Sequence, residues 1–331
     1  MTRHPRPVVV ISRCIDFDAC RYNGQVISAS LREELEPHVD FVPICPELEI
    51  GLGVPRDPVR LVRGADGPRM VQPSTRRDLT ARMKSFSRRF LGDLGTADAF
   101  ILKAHSPSCA VRNAKVFHRD AEGSPFDSGP GLFTARVMES HPGAAVEDEA
   151  RLNDLRLRHH FLTKAFARAG LRAAARGGRA GLIDFHSRSK LLLMAHSETS
   201  LRQMGRLLGD PERRPHADVA SEYGAQFAAA LAQPSRPGPN VNVLMHGLGH
   251  VSDRLESRER THFLELLESY RRRVVPLSAP QAVLASWAAR FDVPYLAGQT
   301  FLEPYPPELA RFERVTKRQR RSLREVPGPT P

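Results

Sequence analysis

Along the first half of the chain, short unbroken apolar runs alternate with longer stretches of mixed polarity. Val8–Ser12, Val39–Ile44 and Ala99–Lys103 are largely β-branched or apolar, the pattern of strands buried on both faces. Between them, Ile27–Leu35 and Thr75–Leu91 repeat apolar residues at helical spacing, and Ser28 or Ser30 is placed to cap the first of these helices. Strands separated by helices predict an α/β fold with a mostly parallel sheet. From about Glu147 the period changes. Leu155–Ala169, Ser189–Leu208, Val219–Ala232, Arg258–Arg272 and Pro280–Phe291 carry apolar residues at i, i+3 and i+4, which predicts a mainly α-helical second half. Arg176–Arg179, Gly209–Pro211 and Pro234–Pro239 read as the loops between those helices. The expected organisation is an α/β domain over residues 1–145, a helical domain over 146–310, and a basic, disordered tail over 311–331.

Charge sharpens this division. The 331 residues carry 49 Lys+Arg against 37 Asp+Glu, a net charge of +12. Residues 1–150 hold 20 of each sign, so the whole excess lies in residues 151–331. A basic half admits nucleic acid as a partner through phosphate contacts at Arg271–Arg273 and Arg311–Arg324. Its few aromatics argue against stacking on single strands. No apolar run reaches the roughly 18–20 residues that span a bilayer. The basic start is followed by only Val8–Ile11, short of the roughly 7–15 apolar residues of a secretory leader. The expectation is a cytoplasmic protein with no membrane partner.

Four cysteines in a chain of this length make no disulfide scaffold, which leaves metal binding or catalysis as their use of interest. Cys14, Cys45 and Cys109 each follow one of the apolar strands. In an open parallel sheet, ligands bind beyond the carboxyl ends of the strands, so three thiols from distant segments converge there. Their spacings of 31 and 64 residues are unlike the tight pairs of a closed zinc site and suit a metal or cluster with one open position. The competing reading is three inert core thiols. Cys20 is close enough to Cys14 to be a fourth ligand or a reserve thiol, and a packing role beside the others is favoured. Glu47, Ser106, Ser108, Arg21 and Arg56 place acid/base and hydrogen-bonding groups near these thiols. Gly129-Pro130-Gly131, ahead of a helix at Leu132–Met138, is a weak candidate for cradling an anion.

The segments Ser-Arg-Cys14…Cys20-Arg-Tyr-Asn-Gly24, Val-Pro-Ile-Cys45-Pro-Glu47…Gly51-Leu-Gly-Val-Pro-Arg56 and Leu-Lys103…Ser106-Pro-Ser-Cys109 resemble the DUF523 family. In the second half, Phe185-His186…Lys190-Leu-Leu-Leu-Met-Ala-His196-Ser197, Asn242-Val-Leu-Met-His246 and Tyr295-Leu296…Gln299…Pro304-Tyr-Pro306 are similar to the DUF1722, or YbgA-like, domain. The characterised DUF523 branch is the thiouracil desulfidases. That resemblance implies a [4Fe–4S] cluster on Cys14, Cys45 and Cys109, with one open iron that takes sulfur from a thionated pyrimidine while water replaces it. It also implies that Glu47 and either Ser106 or Ser108 handle protons and water, and that Arg21, Asn23, Arg56 and Lys103 bind the small-molecule thionated substrate. Three positions depart from the family pattern: Cys14-Ile-Asp-Phe replaces Cys-Leu-Leu-Gly, Ala110 replaces glycine, and Asn23 replaces aspartate. The alternatives are a nucleic-acid-associated protein and a redox or sulfur sensor whose cluster turns nothing over. His246 and His250 have i, i+4 spacing that would let both face one metal. A packed, hydrogen-bonded core histidine is the favoured reading there.

Overall fold

Four apolar segments line up in parallel as β1 (Val8–Ser12), β2 (Asp40–Ile44), β6 (Ala99–Leu102) and β9 (Ala145–Asp148), in the order β2-β1-β6-β9. Val10 pairs with Val42 on one side and Phe100 on the other, so the Val8–Ser12 run occupies the middle of the sheet. The computed structural model describes residues 4–118, 123–209 and 214–310; the tail at 311–331 and most of the Gly209–Pro211 loop lie outside them.

One face of the sheet is covered by α3 (Thr80–Asp93) and α4 (Leu132–Ser140), where Met83, Phe86 and Phe133 pack beneath Val10 and Phe100. The other face, carrying Val9, Ile11 and Ile101, packs against α1 (Leu31–Leu35) and against Phe161 and Phe166 of α5 (Leu155–Arg176). Tyr305 and Leu309 complete that layer. The sheet of the first half is thus clothed by residues from the second. Arg172 of α5 pairs with buried Asp98 at 2.6 Å, and His4 meets Glu303 at 2.9 Å.

A second sheet runs β5 (Arg77–Asp78), β4 (Arg69–Gln72), β3 (Arg60–Val62), β7 (Ala114–Phe117) and β8 (Asp127–Gly129); only β3 and β7 pair in parallel. None of these strands was expected from the sequence. They are two to four residues long and rich in charge, so no alternating run stands out.

The first helix also differs from its expected form. It begins at Leu31, and Ser30 makes no side-chain cap. The Asp16 carboxylate caps it instead, accepting the N–H groups of Ala29, Ser30, Leu31 and Arg32 at 2.7–3.2 Å. This contact ties the loop after Cys14 to α1. Asp16→Ala is expected to destabilise the protein by about 1–3 kcal/mol, the range for losing a charged, partly buried acceptor. An unchanged thermal midpoint would show that water replaces the carboxylate at no cost.

In the second half, α6 (Gly178–Arg188), α7 (Lys190–His196), α8 (Glu198–Leu208), α9 (His216–Ala230), α10 (Pro237–Gly249), α11 (Ser257–Arg271), α12 (Ser278–Arg290) and α13 (Pro294–Ala297) surround Leu191, Tyr223, Phe227, Leu244, Phe263 and Leu284. The helical class is as expected, but three elements, α6, α10 and the four-residue α13, were missed. Pro237 stands in the first turn of α10, where its missing N–H is harmless, so a segment read as loop is a helix start. Gly178 opens α6 directly behind α5. The single helix expected over Ser189–Leu208 breaks at Ser197, whose hydroxyl accepts the Ser200 N–H at 3.1 Å and starts α8. A four-residue helix, α2 (Pro46–Glu49), follows β2.

His159 and His160 of α5 and His196 at the end of α7 are held neutral, mainly by burial, with pKa values near 4, 3 and 4. His159 Nδ1 lies 2.8 Å from the Tyr305 hydroxyl. An unfolded chain protonates these rings at pH about 6.5. It therefore binds more protons than the fold as pH drops below that value, and stability falls. The urea midpoint at pH 5.5 is expected to lie below that at pH 7, a window in which ordinary carboxylates stay ionised; equal midpoints would contradict it.

Candidate functional site

The three strand-end cysteines arrive at one place because β1, β2 and β6 are adjacent and parallel. Cys14 lies two residues past β1, Cys45 is the N-cap of α2 directly after β2, and Cys109 sits in the turn after β6. All four cysteines are buried, free of disulfides, and line a single cavity of about 230 Å³. The Cys20 thiol shares the cavity wall with those of Cys14 and Cys45. Cys45 Sγ also faces the Cys20 carbonyl at 3.9 Å. The Cys14 contact, with burial, lifts the Cys20 thiol to about 11. The Cys20 contact and burial push Cys45 well up, and burial does the same to Cys109, partly offset by the Ser12 and Ser106 hydroxyls. These thiols are therefore protonated at neutral pH, and any metal held here displaces their protons.

The loop carrying Cys109 is clamped by α4. N–H groups of Gly131, Leu132 and Phe133 donate to the carbonyls of Ala110, Pro107 and Ser108 at 2.8, 3.0 and 3.0 Å. Thr134 Oγ1 donates to the Cys109 carbonyl at 2.7 Å. A Cβ at Gly131 would sit 2.4 Å from the Ser108 carbonyl, so the approach requires glycine. These helix-start donors serve the loop, so the anion cradle considered for Gly129–Gly131 is not what the structure forms. The Ser106 hydroxyl accepts the N–H groups of Ser108 and Cys109 at 3.2 and 3.1 Å, which leaves its own proton to donate.

Glu47 reaches the same cavity from α2. Its Oε1 accepts from the Ser108 hydroxyl at 2.8 Å, and its Oε2 takes the Arg56 guanidinium through Nη2 and through Nε at 3.1 Å. Arg56 also donates to the carbonyls of Cys20 and Gly53, each at 3.0 Å. Four of the five N–H donors of this guanidinium are thus engaged with the protein. Lys103 lines the cavity, while its ammonium donates to Glu149 at 2.5 Å and to the Ala104 carbonyl at 2.8 Å.

Of the residues singled out from sequence, Cys14, Cys45, Cys109, Glu47, Arg21, Arg56, Lys103 and Ser106 all line the cavity. Ser108 is fully buried behind Glu47. Asn23 is exposed, and its amide donates to Gln25 at 2.9 Å. Sequence reasoning missed Glu149, whose two oxygens hold Lys103 and the Ala104 N–H. It also missed Ser12, which accepts the Lys103 N–H at 3.0 Å. The available signal was position: Glu149 follows β9 and Ser12 ends β1, at the same sheet end as the cysteines.

Among the described residues, no three His, Cys, Asp or Glu side chains converge at single-ion distances. A polynuclear cluster, which spreads its ligands around a cage, makes no such demand. Four thiols around one cavity are the donor set that iron–sulfur chemistry uses, so the residues present fit such a group. His246 and His250 are exposed, with ring centroids 5.3 Å apart, and His250 lies 4.8 Å from Tyr295. The expectation of a packed core histidine at 246 is therefore corrected: α10 buries its Val243, Leu244 and Leu248 side instead. His186 is the buried one, 3.2 Å from the Tyr223 hydroxyl. Several arginines of the basic half are paired on its surface, including Arg188 with Asp184, Arg202 with Glu198 and Arg290 with Glu259. No helix of the described residues is long and apolar enough to cross a membrane.

A parallel α/β sheet with cysteines beyond three strand ends, joined to a helical half, defines a cysteine-site protein of two matched parts. The family model for 2-thiouracil desulfurase matches residues 9–149, and that for the protein of unknown function DUF1722 matches residues 190–306. The chain is 33% identical over 129 residues to the uncharacterized protein YbgA of Escherichia coli (strain K12), covering 39% of this chain and 76% of that one. It is 26% identical over 155 residues to the uncharacterized protein YbbK of Bacillus subtilis (strain 168), covering 45% and 99% of the two. Among solved structures it resembles the [4Fe-4S]-dependent thiouracil desulfidase TudS, at 26% identity and a TM-score of 0.36, over 46% of this chain and 98% of that one. The chain belongs to the DUF1722 family of YbgA, and the residues in front of that part match the 2-thiouracil desulfurase (DUF523) family model.

Proposed function

We propose that the cavity is the active site of a desulfidase that exchanges the sulfur of a thiocarbonyl compound, such as a thionated pyrimidine, for oxygen from water. The thiocarbonyl carbon gains the oxygen of one water molecule and loses its sulfur as hydrogen sulfide, so atoms and electrons balance with no redox partner. One observation carries the reading. The four cysteines and an oriented carboxylate share one cavity, inside the residues matched by the 2-thiouracil desulfurase family.

Cys14, Cys45 and Cys109 would hold a [4Fe–4S] cluster, with Cys20 packed beside them. When bound, such a cluster supplies a Lewis-acidic iron and a destination for the departing sulfur. Glu47 takes the proton of the incoming water and returns it as sulfur leaves. Ser108 and Arg56 fix its two oxygens from behind. Ser106, which also lines the cavity, orients that water. Lys103 and Arg56 act as positioning residues, because their charges are already engaged. Arg21 remains the cavity cation for substrate. In this reading the chemistry sits in the stretch that runs to β9 and Glu149, and α5 with Tyr305 and Leu309 supplies part of the sheet's cover. The test is anaerobic reconstitution followed by iron analysis and a sulfide-release assay on thionated bases and nucleosides. Bound iron without sulfide from any of them would replace the enzyme with a sensor.

A further inference from the structure

We propose that Tyr22 is the stacking surface that selects planar heterocyclic substrates at the mouth of the cysteine cavity. This rests on the desulfidase reading and names its substrate class. Tyr22 lines the cavity yet keeps 43% of its surface exposed, whereas the other four tyrosines of the chain are buried or half-buried. An aromatic ring left open at a cavity mouth offers its π face to any flat ligand, and aromatic stacking tolerates any base.

The ring stands on a braced turn. Gly24, at φ 69°, brings its N–H to the Arg21 carbonyl at 2.9 Å. Arg21 and Asn23 both donate to the Gln25 side chain, at 3.3 and 2.9 Å. Val54, 40% exposed, lies against this turn, since its Cγ1 would be 3.9 Å from a Cβ at Gly24. Each of the two loops thus leaves one apolar side chain exposed at this rim, Tyr22 and Val54. The Arg21 guanidinium carbon lies 5.7 Å from the Tyr22 centroid, within cation–π range.

Arg56 joins this rim to the interior. Its backbone N–H donates to the Tyr22 carbonyl at 2.9 Å, while its guanidinium holds Glu47. One residue therefore sets the offset between the ring and the carboxylate. A heterocycle stacked on Tyr22 can direct an exocyclic thiocarbonyl inward; an aliphatic thioamide has no ring to stack and only the small planar N–C=S unit to be held by.

The test is anaerobic calorimetric titration of the full-length reconstituted protein with uracil, which carries no sulfur and cannot turn over. The companion measurement is sulfide-release kinetics on 2-thiouracil. Tyr22→Phe is expected to match the wild type. Tyr22→Ala, and Tyr22→Leu, which keeps apolar area without a π face, are expected to weaken uracil binding by about ten- to a hundredfold. The KM for 2-thiouracil should rise by a similar factor, with kcat within about twofold. Equal uracil affinity in Tyr22→Ala, or no measurable binding by the wild type, overturns the proposal. Sulfide release with an unchanged KM in Tyr22→Ala removes the stacking role and leaves the desulfidase reading intact. Tyr22-dependent uracil binding without sulfide release does the reverse.

Discussion

Anaerobically reconstituted Cys45→Ala is expected to be colourless and iron-free, and to release sulfide from 2-thiouracil only at the background rate. Cys20→Ala should keep both its iron and its brown absorption. The Cys45 thiol faces the Cys20 carbonyl, both residues are buried, and only 25 residues separate them, so a general loss of stability would affect them alike. Their positions separate them. Cys45 is placed between the buried Ile44 of β2 and the buried Pro46 of α2, whereas Cys20 belongs to the connection that leads to the exposed Tyr22 turn. Replacing a metal-holding thiolate removes a bond to the group, while replacing a neighbouring packed thiol leaves a small gap of order 1 kcal/mol. Far-UV circular dichroism of both variants checks that the fold persists. Wild-type iron content in Cys45→Ala would remove that residue from the ligand set. Iron loss in Cys20→Ala would add a fourth thiol to it.

Glu47→Gln is expected to lower sulfide release by about 10²- to 10⁴-fold, the usual weight of a positioned acid/base, with iron content and visible absorption unchanged. The amide keeps the shape of the side chain but cannot carry the proton. Ser108→Ala removes one of two groups that orient the carboxylate and should cost about tenfold. The split between the two variants distinguishes proton transfer from positioning. A Glu47→Gln protein with near wild-type turnover would shift the proton role to another cavity group, of which Ser106 is the nearest in function.

Much of the site is legible in the chain itself. Continuous apolar runs announce the parallel strands, and Cys14 and Cys45 follow two of them almost directly. The convergence of these residues with Cys109 then follows from the geometry of a parallel sheet. What could not be read was contact between distant segments. Asp16 caps a helix 15 residues away, and Glu149 grips Lys103 across 46 residues. Neither acid carries a local pattern of its own. The Arg-rich second sheet was invisible for a different reason: its strands are stabilised by pairing with one another, and each is too short to show alternation. Arg56 shows the limit most plainly. The resemblance implied substrate binding for it, while four of its five N–H donors go to Glu47 and to the carbonyls of Cys20 and Gly53.

The cover of the sheet has a consequence in time. Val9 and Ile11 are among the first core residues made, and Tyr305 and Leu309, which share their cluster, are among the last. At roughly 5–20 residues per second on a ribosome, one apolar face of the cysteine-bearing sheet waits some tens of seconds for its final layer. During that interval the strand ends, and the thiols beyond them, belong to an unfinished structure. The helical half is therefore made after the sheet it helps to close.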